Sequence, residues 1–146
     1  MENNEVEILL VEDNVDDAEL AIRALKKNNI LNVLLHVKDG AEALEFIFCR
    51  GQYANRPINM KPKIILLDLN MPKVSGIEVL RRLKADEGTK SIPVIVLTSS
   101  KESPDIEAVY KLGANSFIVK KVAFANFIKL VAEFGLHCTL ITLPPK

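Results

Sequence analysis

Short apolar runs alternate with amphipathic stretches along most of the chain. Glu7–Val11 (EILLV) is apolar after its first residue and breaks off at Glu12-Asp13. Asn14–Asp17 offers capping side chains, and Ala18, Ala21, Ile22 and Leu25 then recur at helical spacing up to Lys27. Asn32–Lys38 (NVLLHVK) predicts a second strand. Asp39 caps a helix predicted from Gly40 to Phe48, with Ala41, Leu44, Ile47 and Phe48 on its apolar side. Arg50–Lys61 contains Gly51 and Pro57 and reads as a polar loop, longer than most connections of its kind. Lys63–Leu67 is the third strand.

Ser75-Gly76-Ile77-Glu78 matches the S-x-x-E capping box, so a helix starts there. It turns Ile77, Leu80 and Leu83 inward and ends near Ala85; Pro93–Thr98 is the fourth strand. Ser103-Pro104 is an N-cap followed by proline at the first helical position. Ile106, Val109 and Tyr110 form the apolar side of that helix, and Gly113 ends it. Ser116–Val119 is the fifth strand; Phe124, Phe127, Ile128, Val131 and Phe134 line a further helix stopped by Gly135. Leu136–Leu143 is an apolar tail before Pro144-Pro145.

Five near-continuous apolar strands alternating with five helices predict an α/β fold, a parallel sheet covered on both faces. No repeat or linker divides the chain, so one domain is expected over 1–135, with 136–146 as a C-terminal extension. A length of 146 residues suffices for one core. The 19 basic and 19 acidic side chains cancel, so no global field recruits nucleic acid or an anionic membrane. No apolar run approaches the roughly 20 residues of a membrane helix, and MENNEVE lacks the apolar core of a signal peptide. Cys49 and Cys138 have no metal-ligand spacing and read as reduced thiols, which fits a cytoplasmic location. His36, inside a strand pattern, and His137, near the tail, read as structural rather than as ligands or phosphate carriers.

In open parallel sheets, sites form outside the carboxyl ends of the strands. The first strand ends in Glu12-Asp13, the third in Asp68, the fourth in Thr98-Ser99-Ser100 and the fifth in Lys120-Lys121. Three carboxylates brought to one edge repel one another unless a cation sits among them. A hard divalent ion, Mg²⁺ foremost, fits oxygen ligands and keeps open positions for water or phosphate oxygens. A carboxylate beside such an ion can attack a phosphoryl group, and positive charge supplies most of the catalysis because the transition state is loose and charge-spread. Lys120 would add to that charge, and the Thr98 hydroxyl could donate to a phosphoryl oxygen.

ILLVEDN at Ile8–Asn14, LLDLNMPKVSG at Leu66–Gly76, VIVLTSS at Val94–Ser100 and GANSFIVK at Gly113–Lys120 resemble, in order and spacing, the motifs of receiver domains of two-component response regulators. The resemblance covers nearly the whole chain. It implies a flavodoxin-like sheet of order 2-1-3-4-5. It further implies that Asp68 is the phosphoacceptor, and that Asp13 holds Mg²⁺ directly, Glu12 through water and Asn70 through its backbone carbonyl. Mn²⁺ or Ca²⁺ would substitute for Mg²⁺. Thr98 and Phe117 take the switch positions, and Lys120 pairs with the phosphate. One position departs: the family usually has Lys-Pro after the fifth strand, joined by a cis bond, where this chain has Lys120-Lys121. A cis bond before a non-proline residue costs about 2.5–4 kcal/mol, so either that strain is tolerated or the bond is trans and the loop is re-routed.

The loop Arg50–Lys61 and the ending LITLPPK resemble the small stand-alone regulators of phytochrome-type histidine kinases, cyanobacterial ones especially. The expected partners are therefore such a kinase, a downstream protein and, through the side of the fourth helix and fifth strand and the weakly alternating tail at Thr139–Leu143, a second copy of the chain. The expected activity is limited to the chain's own phosphorylation and dephosphorylation. Two other readings compete. An aspartyl-nucleophile phosphatase would need a general acid two residues after Asp68, where Asn70 stands and cannot protonate a leaving group. An interaction module that takes no phosphate would leave the full acidic set without a use.

Overall fold

The computed structural model describes residues 6–27, 33–57, 61–69, 71, 74–98, 110–114 and 116–119. Strands β1 (Ile8–Val11), β2 (Leu34–Val37), β3 (Ile64–Asp68), β4 (Val94–Thr98) and β5 (Ser116–Val119) form one parallel sheet in the order β2-β1-β3-β4-β5. Between them run α1 (Val15–Lys27), α2 (Gly40–Ile47), a single 3₁₀ turn at Gly51–Tyr53, and α3 (Gly76–Ala85). Parallel neighbours need crossover connections, and among the described residues α1, α2 and α3 supply those from β1 to β2, from β2 to β3 and from β3 to β4.

Because side chains alternate across a strand, the sheet divides its apolar residues between two cores. Leu9, Val11, Ile65, Leu67, Val94 and Val96 face α2 and α3, joined by Ala43, Phe46, Val79, Leu80 and Leu83. Ile8, Leu10, Ile64, Leu66, Ile95 and Leu97 face α1, joined by Ala18, Ala21 and Leu25. Both faces are covered, which is why the strands read as unbroken apolar runs.

Several local expectations are corrected by the packing. Helix α1 starts at Val15, three residues before the start read from apolar spacing, because the Asn14 side chain caps it by accepting from the Asp17 N–H at 2.9 Å. In α2 the buried face is Ala43, Leu44, Phe46 and Ile47, whereas Ala41 and Phe48 are only half-buried. The cause is the segment after it, which is not a plain polar loop. Tyr53 packs edge-on against Phe46, with ring centroids 5.1 Å apart, and the Arg56 guanidinium lies 3.7 Å over the same ring. Arg56 also donates to the Phe46 carbonyl, and Lys61 donates to the Ile47 carbonyl at 2.8 Å, so two cations close the carboxyl end of α2.

At α3 the Ser75 hydroxyl accepts from the Glu78 N–H at 3.3 Å, which is half of the expected capping box. The Glu78 carboxylate instead takes Arg81 and Arg82 on its own helix, and Val79 joins the buried face. Tyr110, expected on an apolar helix side, is 48% exposed, and Leu112 packs on the core in its place just before the turn at Gly113 (φ 99°). A phenol with a polar tip tolerates that exposure. Cys49 is a free thiol. The expected helix residues Ser103–Val109, the Phe124–Phe134 stripe, the tail at Leu136–Leu143, Cys138, His137, Asn70 and Lys120-Lys121 lie outside the described residues.

Candidate functional site

The carboxyl edge of the sheet is where acids meet. In the β1–β3 ladder the last pair is Val11 with Leu67, so one further step along both strands brings Glu12 beside Asp68. Both are buried, at 1% and 2% exposure, whereas Asp13 lies exposed at the rim. One carboxylate oxygen from each of Glu12, Asp13 and Asp68 lies within 4.8 Å of the others. The three acids named from the sequence thus form one cluster, although 54 residues of chain lie between the second and the third.

Each acid is held by its local structure. Glu12 Oε2 accepts from the Asn14 N–H at 3.2 Å, which ties the carboxylate to the cap of α1. The Glu12 N–H continues the ladder to the Val37 carbonyl at 3.1 Å, and the Glu12 carbonyl accepts from the His36 ring at 2.7 Å. Asp68 is the last residue of β3, opposite Leu97, and the next N–H, of Leu69, donates to the Leu97 carbonyl at 3.1 Å. Behind Asp68 sits the first residue of α3. The Gly76 N–H donates to the Leu69 carbonyl at 3.0 Å, and a Cβ at Gly76 would lie 2.2 Å from the Asp68 carbonyl oxygen. Gly40, opening α2, makes the same kind of approach to the loop after β3, where a Cβ would meet the Val74 carbonyl oxygen at 2.1 Å. Nothing in the apolar periodicity signalled these contacts. Their trace in the sequence is a glycine at the first position of α2 and of α3.

The donor set suits a hard divalent ion. Three carboxylates, oxygen donors only, are what Mg²⁺, Mn²⁺ or Ca²⁺ prefer over softer metals. Ligands on opposite sides of Mg²⁺ lie about 4 Å apart, so a spread of this size fits an ion reached directly by some acids and through water by another. Thr98 closes β4, one residue beyond Leu97, which pairs with Asp68, and Phe117 pairs with Val96 within the β4–β5 ladder. The backbone therefore brings Thr98 to the acidic edge and leaves Phe117 two residues further back along the sheet. Among the described residues, no helix is long and apolar enough to cross a membrane.

Comparison with known proteins gives consistent results. The sequence profile described as "Response regulator receiver domain" matches residues 8–132. Response regulator Rcp1 of Synechocystis sp. (strain ATCC 27184 / PCC 6803 / Kazusa) is 40% identical over 138 residues, 94% of this chain and 92% of that protein. A solved Mn²⁺-bound form of Rcp1 superposes with a TM-score of 0.77 at 37% identity, covering 97% of this chain and 99% of that one. The bacteriophytochrome response regulator RtBRR superposes with a TM-score of 0.83 at 40% identity, covering 96% of this chain and 84% of that one. The phosphorylated cyanobacterial phytochrome response regulator RcpA gives 0.77 at 35% identity, covering 97% of this chain and 99% of that one.

Proposed function

Because the chain belongs to the response regulator receiver family, we propose that Asp68 accepts a phosphoryl group from a sensor histidine kinase and that the resulting charge switches binding to another protein. The observation that carries this reading is the buried Asp68 at the end of β3, clustered with Glu12 and Asp13. In the transfer, an Asp68 carboxylate oxygen forms the new P–O bond as the P–N bond to the kinase histidine breaks. The released imidazole takes up a proton.

Asp13, Asp68 and the Asn70 carbonyl would hold Mg²⁺ directly and Glu12 through water; the ion supplies neutralising charge to the phosphoryl oxygens. The Mn²⁺-bound form of Rcp1 and the phosphorylated form of RcpA support this assignment by likeness. Thr98 would donate to a phosphoryl oxygen and Lys120 would pair with it; both would be drawn inward, shifting the surface around Ser103–Leu112 and Ser116–Lys120, with Phe117 as the second switch position. Several relatives are phytochrome regulators by name, which supports a phytochrome-type kinase as the donor. The profile match over residues 8–132 supports a receiver domain over 1–135; the extension over 136–146, together with the side of the fourth helix and fifth strand, would pair two copies of the chain. Sedimentation of a chain ending at Gly135 tests that pairing, and an unchanged dimer removes the extension from it.

Intact-mass measurement after incubation with Mg²⁺ and acetyl phosphate tests the central claim. Wild type should gain one phosphoryl group that hydroxylamine removes, and Asp68→Asn should gain none. Equal labelling of the two would refute the assignment. Rapid, sustained hydrolysis of small phosphomonoesters would favour an enzyme instead.

A further inference from the structure

Glu12 and Asp13 sit where the β1–β2 ladder is ending. The last ladder bond there is from the Glu12 N–H to the Val37 carbonyl, and the Lys38 N–H already turns to the Glu42 carboxylate at 3.3 Å. The carbonyl of Glu12 is taken up by a side chain: His36 Nε2 lies 2.7 Å from it. A carbonyl oxygen only accepts, so Nε2 carries the proton and the ring donates. That carbonyl belongs to the planar peptide joining Glu12 to Asp13, and the plane holds both Cα atoms, from which the two carboxylates project.

We infer that His36 is a positioning residue for the metal site: its ring fixes the Glu12–Asp13 peptide so that both carboxylates point at Asp68. It touches neither metal nor phosphate. The inference rests on the proposed metal-binding role of these acids. Partners behind a metal's ligands typically carry about 10- to 100-fold of its affinity, and a neutral bond to the backbone belongs near the lower figure. Gln keeps a donor at the reach of Nε2, Asn offers one nearer the backbone, and Leu offers none.

The test is the dissociation constant for Mg²⁺, by calorimetry on the full chain, for wild type, His36→Leu, His36→Gln, His36→Asn and Asp13→Asn. His36→Leu should bind about tenfold more weakly, His36→Gln close to wild type, and His36→Asn between them. Melting temperature in EDTA should not follow that order, and phosphorylation of His36→Leu at saturating Mg²⁺ should return to the wild-type rate. If Asp13→Asn loses Mg²⁺ while His36→Leu binds like wild type, the metal reading stands and the role of His36 is refuted. If Asp13→Asn also binds like wild type, the metal reading is wrong and the inference falls with it. Should His36→Leu fail to fold, the Gln and Asn variants decide, and equal affinities overturn the proposal.

Discussion

Gly76→Ala should both destabilise the fold and slow phosphorylation, and the geometry says by how much. The added methyl would sit 2.2 Å from the Asp68 carbonyl oxygen and 2.7 Å from the Leu69 Cα, where ordinary contact begins at 3.4 Å. Both neighbours are backbone, so no side chain can swing aside. Either α3 retreats or the end of β3 moves, in each case by about 1 Å. Replacing glycine by alanine within a helix would by itself gain up to about 1 kcal/mol. Forcing a methyl into a filled space typically costs about 1–3 kcal/mol, so the net sign should be a loss. A displacement of about 1 Å at a reacting group can cost about 10²-fold in rate.

Gly88→Ala is the control, since its Cβ meets only the Asp86 carboxylate, at 3.2 Å on the surface, and should change stability by less than about 0.5 kcal/mol. Urea unfolding measures the stability, and the time course of acetyl phosphate labelling by intact mass measures the rate. A Gly76→Ala protein as stable as wild type and labelled at the same rate would refute the claim that this glycine seats Asp68.

Two further outcomes follow from the same geometry. Mg²⁺ at ten times its dissociation constant should stabilise the fold by about 1.4 kcal/mol, raising the melting temperature by about 4 °C; EDTA should reverse this and Asp13→Asn should abolish it. A melting temperature indifferent to Mg²⁺ would speak against a site among these acids. Burial and the hydrogen bond to the Glu42 carboxylate push the Tyr53 phenol up to about 12, so the folded state holds it neutral. Its contribution is fully present below its unfolded value of about 10 and is lost as pH rises toward 12. Tyr53→Phe should lose about 1 kcal/mol near neutrality and show less of that alkaline loss, and a phenolate absorbance step near pH 10 that Tyr53→Phe removes would contradict it.

The sequence alone determined the kinds of element and the chemistry at their ends. Strand periods and helix caps are written over a few neighbouring residues, so ILLV, IILLD and the Ser75 cap could be read directly. The acids stood out because carboxylates end the first and third apolar runs, at Glu12-Asp13 and at Asp68. Tertiary structure decided what lies beside what. The β1–β3 register sets Glu12 next to Asp68, a relation that sheet pairing creates and no local pattern states. The segment after α2 reads as a polar loop; stacking on Phe46 and bonds to a helix-end carbonyl and the Cys49 sulfur help make the buried Arg56 guanidinium tolerable there. His36 likewise reads as one polar residue in a strand until the end of the ladder leaves the Glu12 carbonyl within its reach. Backbone conformation answers to near neighbours, whereas burial and hydrogen-bond partners answer to chain segments that only packing brings together.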